Sequence, residues 1–204
     1  GLFIGGEWRP AASGNYLRVF DPSTGRVVKK IADAGPEDGK AAMDAGRTKY
    51  APASGLPELR AAVTYRYRED FQVDFAPEEV TVAVGGKQAL ALLYQAILDR
   101  GSEIVVPIPA WPTFAEAARV AGGTPVFVPL AEKSGFRVTA RAVARAITAK
   151  TRAVVVNSPS NPTGAFVEPD DLVKIARLAK KHGFWLLYDD TYAHLVFRPG
   201  GPPS

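Results

Sequence analysis

The chain has 204 residues, 47% of them hydrophobic and 23% charged, which is enough apolar material for one large domain or two small ones and too much for a disordered chain. Lys and Arg (25) barely exceed Asp and Glu (21), and apart from pairs such as Lys29-Lys30 and Lys180-Lys181 the basic residues are scattered, so no nucleic-acid footprint emerges. Zero cysteines exclude disulfides, thiolate metal sites and a cysteine nucleophile, and with only His182 and His194 a histidine-rich metal centre is not expected.

No apolar run reaches the roughly 18 residues of a membrane span. Residues 1–10 also lack the pattern of a signal peptide. No membrane partner is expected, and a cytoplasmic location is.

Residues 1 to about 35 read as short strands broken by turns. Leu2-Phe3-Ile4, Glu7-Trp8-Arg9 and the stretches 16–20 and 27–31 are extended candidates. Gly5-Gly6, Ser13-Gly14-Asn15 and Asp21-Pro22-Ser23-Thr24-Gly25 supply the turn chemistry between them, so a β hairpin or ribbon is expected over 1–31. Pro36-Glu37-Asp38 then opens a helix, with proline in the first turn and acids where the helix dipole favours them.

From about Tyr50 the rhythm changes. Helices are predicted over 57–72, 87–98, 113–121, 139–147 and 170–182. Between and after them, strands are predicted over 80–84, 103–108, 124–128, 153–157 and 184–189. Such alternation implies an α/β fold: a doubly wound, mainly parallel sheet covered on both faces, with a short N-terminal β segment. The expected domains are an N-terminal β-hairpin segment over 1–35 and a larger domain over 36–198. Residues 199–204, rich in Pro and Gly, are expected to form a flexible tail.

Chemistry-bearing residues gather at the carboxyl ends of the predicted strands, the edge where open α/β sheets bind ligands. Gly85-Gly86-Lys87-Gln88 joins a strand to a helix. Its glycines permit close backbone approach, and the helix start suits a phosphate. A tight strand-to-helix turn is an equal reading. Trp111 follows Pro107-Ile108-Pro109-Ala110 and offers an indole face for stacking on a flat ring, although core packing is the commoner use of such a residue. Asn161 lies in Ser158-Pro159-Ser160-Asn161-Pro162-Thr163-Gly164, which would equally make an ordinary turn. Asp189 and Tyr192 end the last predicted strand; a helix cap and a half-buried tyrosine are their plain alternatives, and Asp190 is an alternative carboxylate. An amide, a carboxylate and a phenol in this order suit a planar heteroaromatic cofactor with a ring nitrogen and a phenolic oxygen.

Residues from about 46 to 197 resemble the large domain of the class I/II aminotransferases, the pyridoxal-phosphate enzymes of fold type I, and most of all their aspartate-aminotransferase-like branch. The stretches that carry the likeness are Lys49-Tyr50-Ala51-Pro52-Ala53-Ser54-Gly55-Leu56-Pro57-Glu58-Leu59-Arg60, Gly85-Gly86-Lys87-Gln88-Ala89-Leu90, Pro109-Ala110-Trp111-Pro112, Asn157-Ser158-Pro159-Ser160-Asn161-Pro162-Thr163-Gly164 and Asp189-Asp190-Thr191-Tyr192. The resemblance implies pyridoxal 5′-phosphate as cofactor, with Gly86 and Lys87 at its phosphate and Trp111 stacked on its ring. It implies Asp189 at the ring nitrogen, and Asn161 and Tyr192 at the phenolic oxygen. Tyr50 would reach the phosphate of a partner subunit, so a homodimer is implied, along with amino-acid and 2-oxo-acid substrates. A cis Asn161–Pro162 peptide is implied as well.

The likeness has two departures. The family's Schiff-base lysine belongs downstream of the Asp–Tyr motif, and no lysine follows Lys181, so the catalytic lysine is absent and an inactive, truncated large domain is expected. Residues 1 to about 45 resemble instead the N-terminal segment of aldehyde dehydrogenases, through Leu2-Phe3-Ile4-Gly5-Gly6-Glu7-Trp8, Asp21-Pro22-Ser23-Thr24-Gly25 and Ala34-Gly35-Pro36-Glu37-Asp38. Dehydrogenase activity is rejected, because that family needs a cysteine nucleophile. The chain therefore reads as a composite joined near Pro36. A non-catalytic fusion, fragment or designed scaffold with inherited site residues is the alternative to a pyridoxal-phosphate-dependent aminotransferase.

Overall fold

The computed structural model describes residues 1–46 and 50–196. The sequence divides into two compact units, Gly1–Ala53 and Ser54–Ser204.

In the first unit, β1 (Leu2–Ile4) and β2 (Glu7–Arg9) form an antiparallel hairpin across Gly5-Gly6. Both turn glycines have positive φ, 65° and 94°, a region that side chains make costly. A second hairpin joins β3 (Tyr16–Phe20) to β4 (Val27–Ala32), its turn held by the Asp21 carboxylate, which accepts from the Ser23 N–H and hydroxyl. Helix α1 (Pro36–Asp44) follows. Expected to open the larger domain, it is grouped instead with the hairpins. Asp38 gives the physical reason: its buried carboxylate accepts from the Gly35 N–H and from the Ala12 N–H, both at 2.9 Å.

The second unit begins with α2 (Pro57–Phe71) and α3 (Gly85–Ile97). It continues through β5 (Glu103–Ile108), α4 (Thr113–Val120), β6 (Thr124–Pro129), α5 (Ala140–Ala146), β7 (Thr151–Asn157), α6 (Pro169–His182) and β8 (Trp185–Asp189). The four strands form one parallel sheet in the order β6-β5-β7-β8. Strand residues alternate between two cores. Ile104, Val106, Ala153 and Val155 pack with Tyr94, Leu98, Phe114 and Ala118 of the α3/α4 layer. Val105, Val154 and Val156 pack with Val143 and Ile175 of the α5/α6 layer. Burial on both faces explains why β5 and β7 read as unbroken apolar runs.

Residues 80–84, predicted as a fifth strand, are a correction. Val80 is extended, with φ −103° and ψ 128°, and the Val82 N–H donates to the Ser54 carbonyl at 2.9 Å, but the segment joins no sheet. A β-branched run has the right propensity, yet a strand exists only where a neighbour completes its ladder. The predicted tail, 199–204, lies outside the described residues.

Chain order places β6 on one side of β5 and β7 on the other. The winding therefore reverses between β5 and β7, and a crevice opens at their carboxyl ends.

Candidate active site

A cleft of about 620 Å³ occupies that strand-end edge. Of the residues singled out by sequence, Gly86, Trp111, Asn161, Asp189 and Tyr192 all line it. Lys87 does not line it directly; its Nζ stands 6.0 Å from the centre of the Trp111 ring. Tyr50 belongs to the first unit and is fully exposed.

Each side chain is delivered by a local device. Gly85 adopts φ +80° and donates its N–H to the Ala83 carbonyl at 2.8 Å, a tight turn that feeds directly into α3. Gln88 reaches back to accept from the Val84 N–H at 2.6 Å, which leaves the first helical N–H groups around Gly86 to a ligand. At Gly86 a Cβ would meet nothing within 4 Å, so open space stands over the helix start.

Trp111 follows β5 through a cis Ile108–Pro109 peptide. Its ring meets Phe114 edge-on, with centroids 5.5 Å apart at 89°, so one edge is anchored in the core while the indole lines the cleft. Asn161 follows β7 in a loop with cis peptides at Ser158–Pro159 and Asn161–Pro162. The loop is closed by Ser160 N–H to Ala165 carbonyl (2.9 Å) and Gly164 N–H to Ser160 carbonyl (2.8 Å).

Asp189 is the last residue of β8 and lies opposite Asn157 in the ladder. One carboxylate oxygen accepts from the Thr191 hydroxyl (2.7 Å) and the Thr191 N–H (3.1 Å). Among the described residues no hydrogen bond reaches the other oxygen, which remains available to a ligand donor. Asp190, the alternative carboxylate, also borders the cleft, but it accepts from the Tyr67 hydroxyl at 3.4 Å. Burial, and after it the Asp190 charge, pushes the Tyr67 phenol above its ordinary value. Tyr192 sits in the turn after β8, where its carbonyl accepts from the Leu195 N–H at 2.8 Å.

Other lining residues escaped the sequence reading, Ala89, Leu90 and Asn157 among them. Ala89 and Leu90 contribute the apolar flank of α3, and Asn157 ends β7. Asn157 was legible in principle, as an amide closing an apolar strand four residues before Asn161. No group of His, Asp or Glu among the described residues is arranged to hold a metal ion. Likewise, none of their helices is long and apolar enough to cross a membrane.

The family model for aminotransferase class I and II matches residues 12–203. A probable aspartate/prephenate aminotransferase of Thermus aquaticus is 47% identical over 161 residues, 79% of this chain and 42% of the relative. An aspartate aminotransferase of Bacillus sp. (strain YM-2) is 39% identical over 76% of this chain and 40% of its own length. Among solved structures, the Thermus thermophilus aspartate aminotransferase with maleate superposes with a TM-score of 0.76 at 45% identity, over 82% of this chain and 44% of that one. The aromatic aminotransferase of Pyrococcus horikoshii OT3 gives a TM-score of 0.76 at 36% identity over 82% of this chain and 45% of that one. The chain thus spans about two-fifths of the length of the curated relatives it matches. Nothing in these comparisons supports a composite with an aldehyde dehydrogenase, and the aminotransferase model itself takes in residues 12–45. The chain belongs to the aminotransferase class I and II family.

Proposed function

We propose that the second unit is the cofactor-holding part of a pyridoxal-phosphate-dependent aminotransferase that exchanges amino acids with 2-oxo acids. The observation that carries this reading is the meeting of Gly86, Trp111, Asn161, Asp189 and Tyr192 in one cleft. Its volume falls within the roughly 300–1,000 Å³ of small-molecule sites. The residues also fit the group chemically: a free carboxylate oxygen for a ring N–H, an amide and a phenol for a phenolic oxygen, and open space over a helix start for a phosphate.

Bound pyridoxal phosphate supplies an electron sink at its ring. Asp189 holds the proton on the ring nitrogen, a role aided by Thr191, which fixes one carboxylate oxygen and leaves the other directed to its partner. Trp111 covers a ring face, while Gly86 and Lys87 hold the phosphate. Asn161 and Tyr192 donate to the phenolic oxygen. Tyr50, exposed as it is, serves the phosphate of a second copy, so the working assembly is a homodimer.

Proton movement at the substrate carbon requires a positioned amine. Lys87 stands over the Trp111 ring and does not line the cleft itself, and no lysine follows Lys181 in these residues. These 204 residues alone are therefore expected to bind cofactor without turning substrate over. The test mixes purified protein with pyridoxal phosphate, aspartate and 2-oxoglutarate, and follows both the cofactor spectrum and glutamate formation. A saturable spectral change, weakened in Trp111→Ala and Asp189→Ala, is the expected result. Wild-type protein without any such change would favour the non-catalytic scaffold. Turnover well above the cofactor-only blank and abolished by Asp189→Ala would refute inactivity.

A further inference from the structure

We propose that Asn157 is a positioning residue that ties the two sides of the cofactor's polar edge together; this inference rests on the functional reading above. Its carboxamide does two jobs at once. Oδ1 accepts from the Asn161 N–H at 2.7 Å, and Nδ2 donates to the Asp189 carbonyl at 3.1 Å. One side chain thus fixes the backbone of the residue assigned to the phenolic oxygen and of the residue assigned to the ring nitrogen.

The surroundings explain why this tie matters. Asn157 and Asp189 are the last register pair between β7 and β8. Beyond that pair the ladder makes one further bond, Ser158 N–H to the same Asp189 carbonyl at 3.1 Å, and the chain then leaves the sheet. Asn161 lies in the loop that follows, and the Asn157 carboxamide is its link back to the strand end. The Asp189 carbonyl accepts twice, from a backbone N–H and from this side chain, which fixes the tip of β8 where the carboxylate projects.

Only an amide of this length satisfies both demands. An aspartate at 157 would keep the acceptor for Asn161 but turn the donor into a negative oxygen facing a carbonyl. An alanine would lose both bonds, leaving the Asn161 N–H and the Asp189 carbonyl each one partner short. Positioning of this kind acts on the angle at which neighbouring groups meet a ligand.

Two measurements on the full chain test the inference. The first is backbone amide exchange at Asn161 without cofactor. The second is a pH titration of the absorbance of added pyridoxal phosphate, which follows ionisation of the phenolic oxygen that Asn161 would contact. Asn157→Ala should speed Asn161 exchange by roughly tenfold or more, as loss of a local hydrogen bond requires. It should also move the titration of bound cofactor to higher pH, because the ionised oxygen loses an oriented donor. Asn157→Asp should keep Asn161 protected yet still shift the titration. Unchanged Asn161 exchange in Asn157→Ala overturns the tie. Faster exchange with a titration superimposable on wild type overturns the positioning role. Should Asn157→Ala fail to fold, the neutral Asn157→Gln decides: faster Asn161 exchange with the titration moved to higher pH supports the role, and any other outcome overturns it. Wild-type protein that shows no saturable cofactor spectrum defeats the functional reading and the cofactor half of this one, while the exchange measurement still decides the tie.

Discussion

The Tyr94 hydroxyl is buried between α3 and the sheet and has no hydrogen-bond partner among the described residues. Burying an unpaired hydroxyl costs on the order of 1–3 kcal/mol, whereas the ring itself contributes apolar packing. Tyr94→Phe should therefore be neutral or stabilising by about 1 kcal/mol in a urea melt. A loss of more than about 1 kcal/mol would reveal a hidden partner such as a buried water. The pH dependence has a definite sign. Burial pushes the Tyr94 phenol well above its ordinary value of 10.0, so the folded state holds that proton more tightly than the unfolded chain. Stability from this source is complete below pH 10 and falls above it. Tyr94→Phe should accordingly extend the alkaline limit of folding, read as the unfolding midpoint against pH.

Among elements, the helices and four of the five predicted strands of the second unit were legible because β5 and β7 are apolar on both faces and are separated by amphipathic helices. Residues 80–84 were misread because propensity is local and pairing is not. What that segment does instead can be tested at Gly55. Gly55 has φ +99°, and a Cβ there would lie 2.6 Å from the Val82 Cβ. Arg60 clamps the same corner, donating to the Pro77 carbonyl (2.7 Å) and the Ser54 hydroxyl (3.1 Å). Gly55→Ala should thus destabilise the second unit by roughly 2 kcal/mol or more, since it combines a left-handed backbone with a clash against Cβ. A Gly55→Ala variant that melts like wild type would show that this corner is free to move.

The first unit has its own pH switch at the element scale. Hydrogen bonds from Gly35 and Ala12 hold the Asp38 carboxyl below its ordinary 3.8, with help from the Arg9 charge and against the effect of burial. A depressed carboxyl stabilises the fold above its unfolded value and loses that contribution as pH falls through its folded value. The contact between α1 and the hairpin segment should therefore loosen below about pH 4. Protection of the Ala12 amide, followed by exchange as pH is lowered, reports it directly. In Asp38→Ala, Ala12 should be poorly protected at every pH; equal protection in both proteins would remove the carboxylate from the account.

At the scale of the whole molecule, most of the cleft was readable from sequence because its polar residues lie at strand ends, in the turns just after them or at a helix start, and the parallel sheet brings those ends to one edge. Gly86, Trp111, Asn161, Asp189 and Tyr192 lie over a hundred residues apart at the extremes, yet all border the same space. Asn157 was missed because its contribution is a hydrogen-bond geometry that only coordinates reveal. The grouping of α1 with the hairpins was also hidden, since the Asp38 contacts that tie it to Ala12 are not visible in composition. The division after Ala53 gives the last prediction. Both apolar cores and every cleft-lining residue belong to the second unit. A chain starting at Ser54 should therefore fold and still show the saturable cofactor spectrum, with an affinity below that of the full chain by the contact Tyr50 makes to the phosphate of a second copy. Calorimetry and the cofactor spectrum check the two halves of that statement separately. Folding retained with the saturable spectrum lost would assign an essential part of the site to the first unit, with Tyr50 the first residue to restore. Failure to fold would mean that the first unit completes the second one's structure.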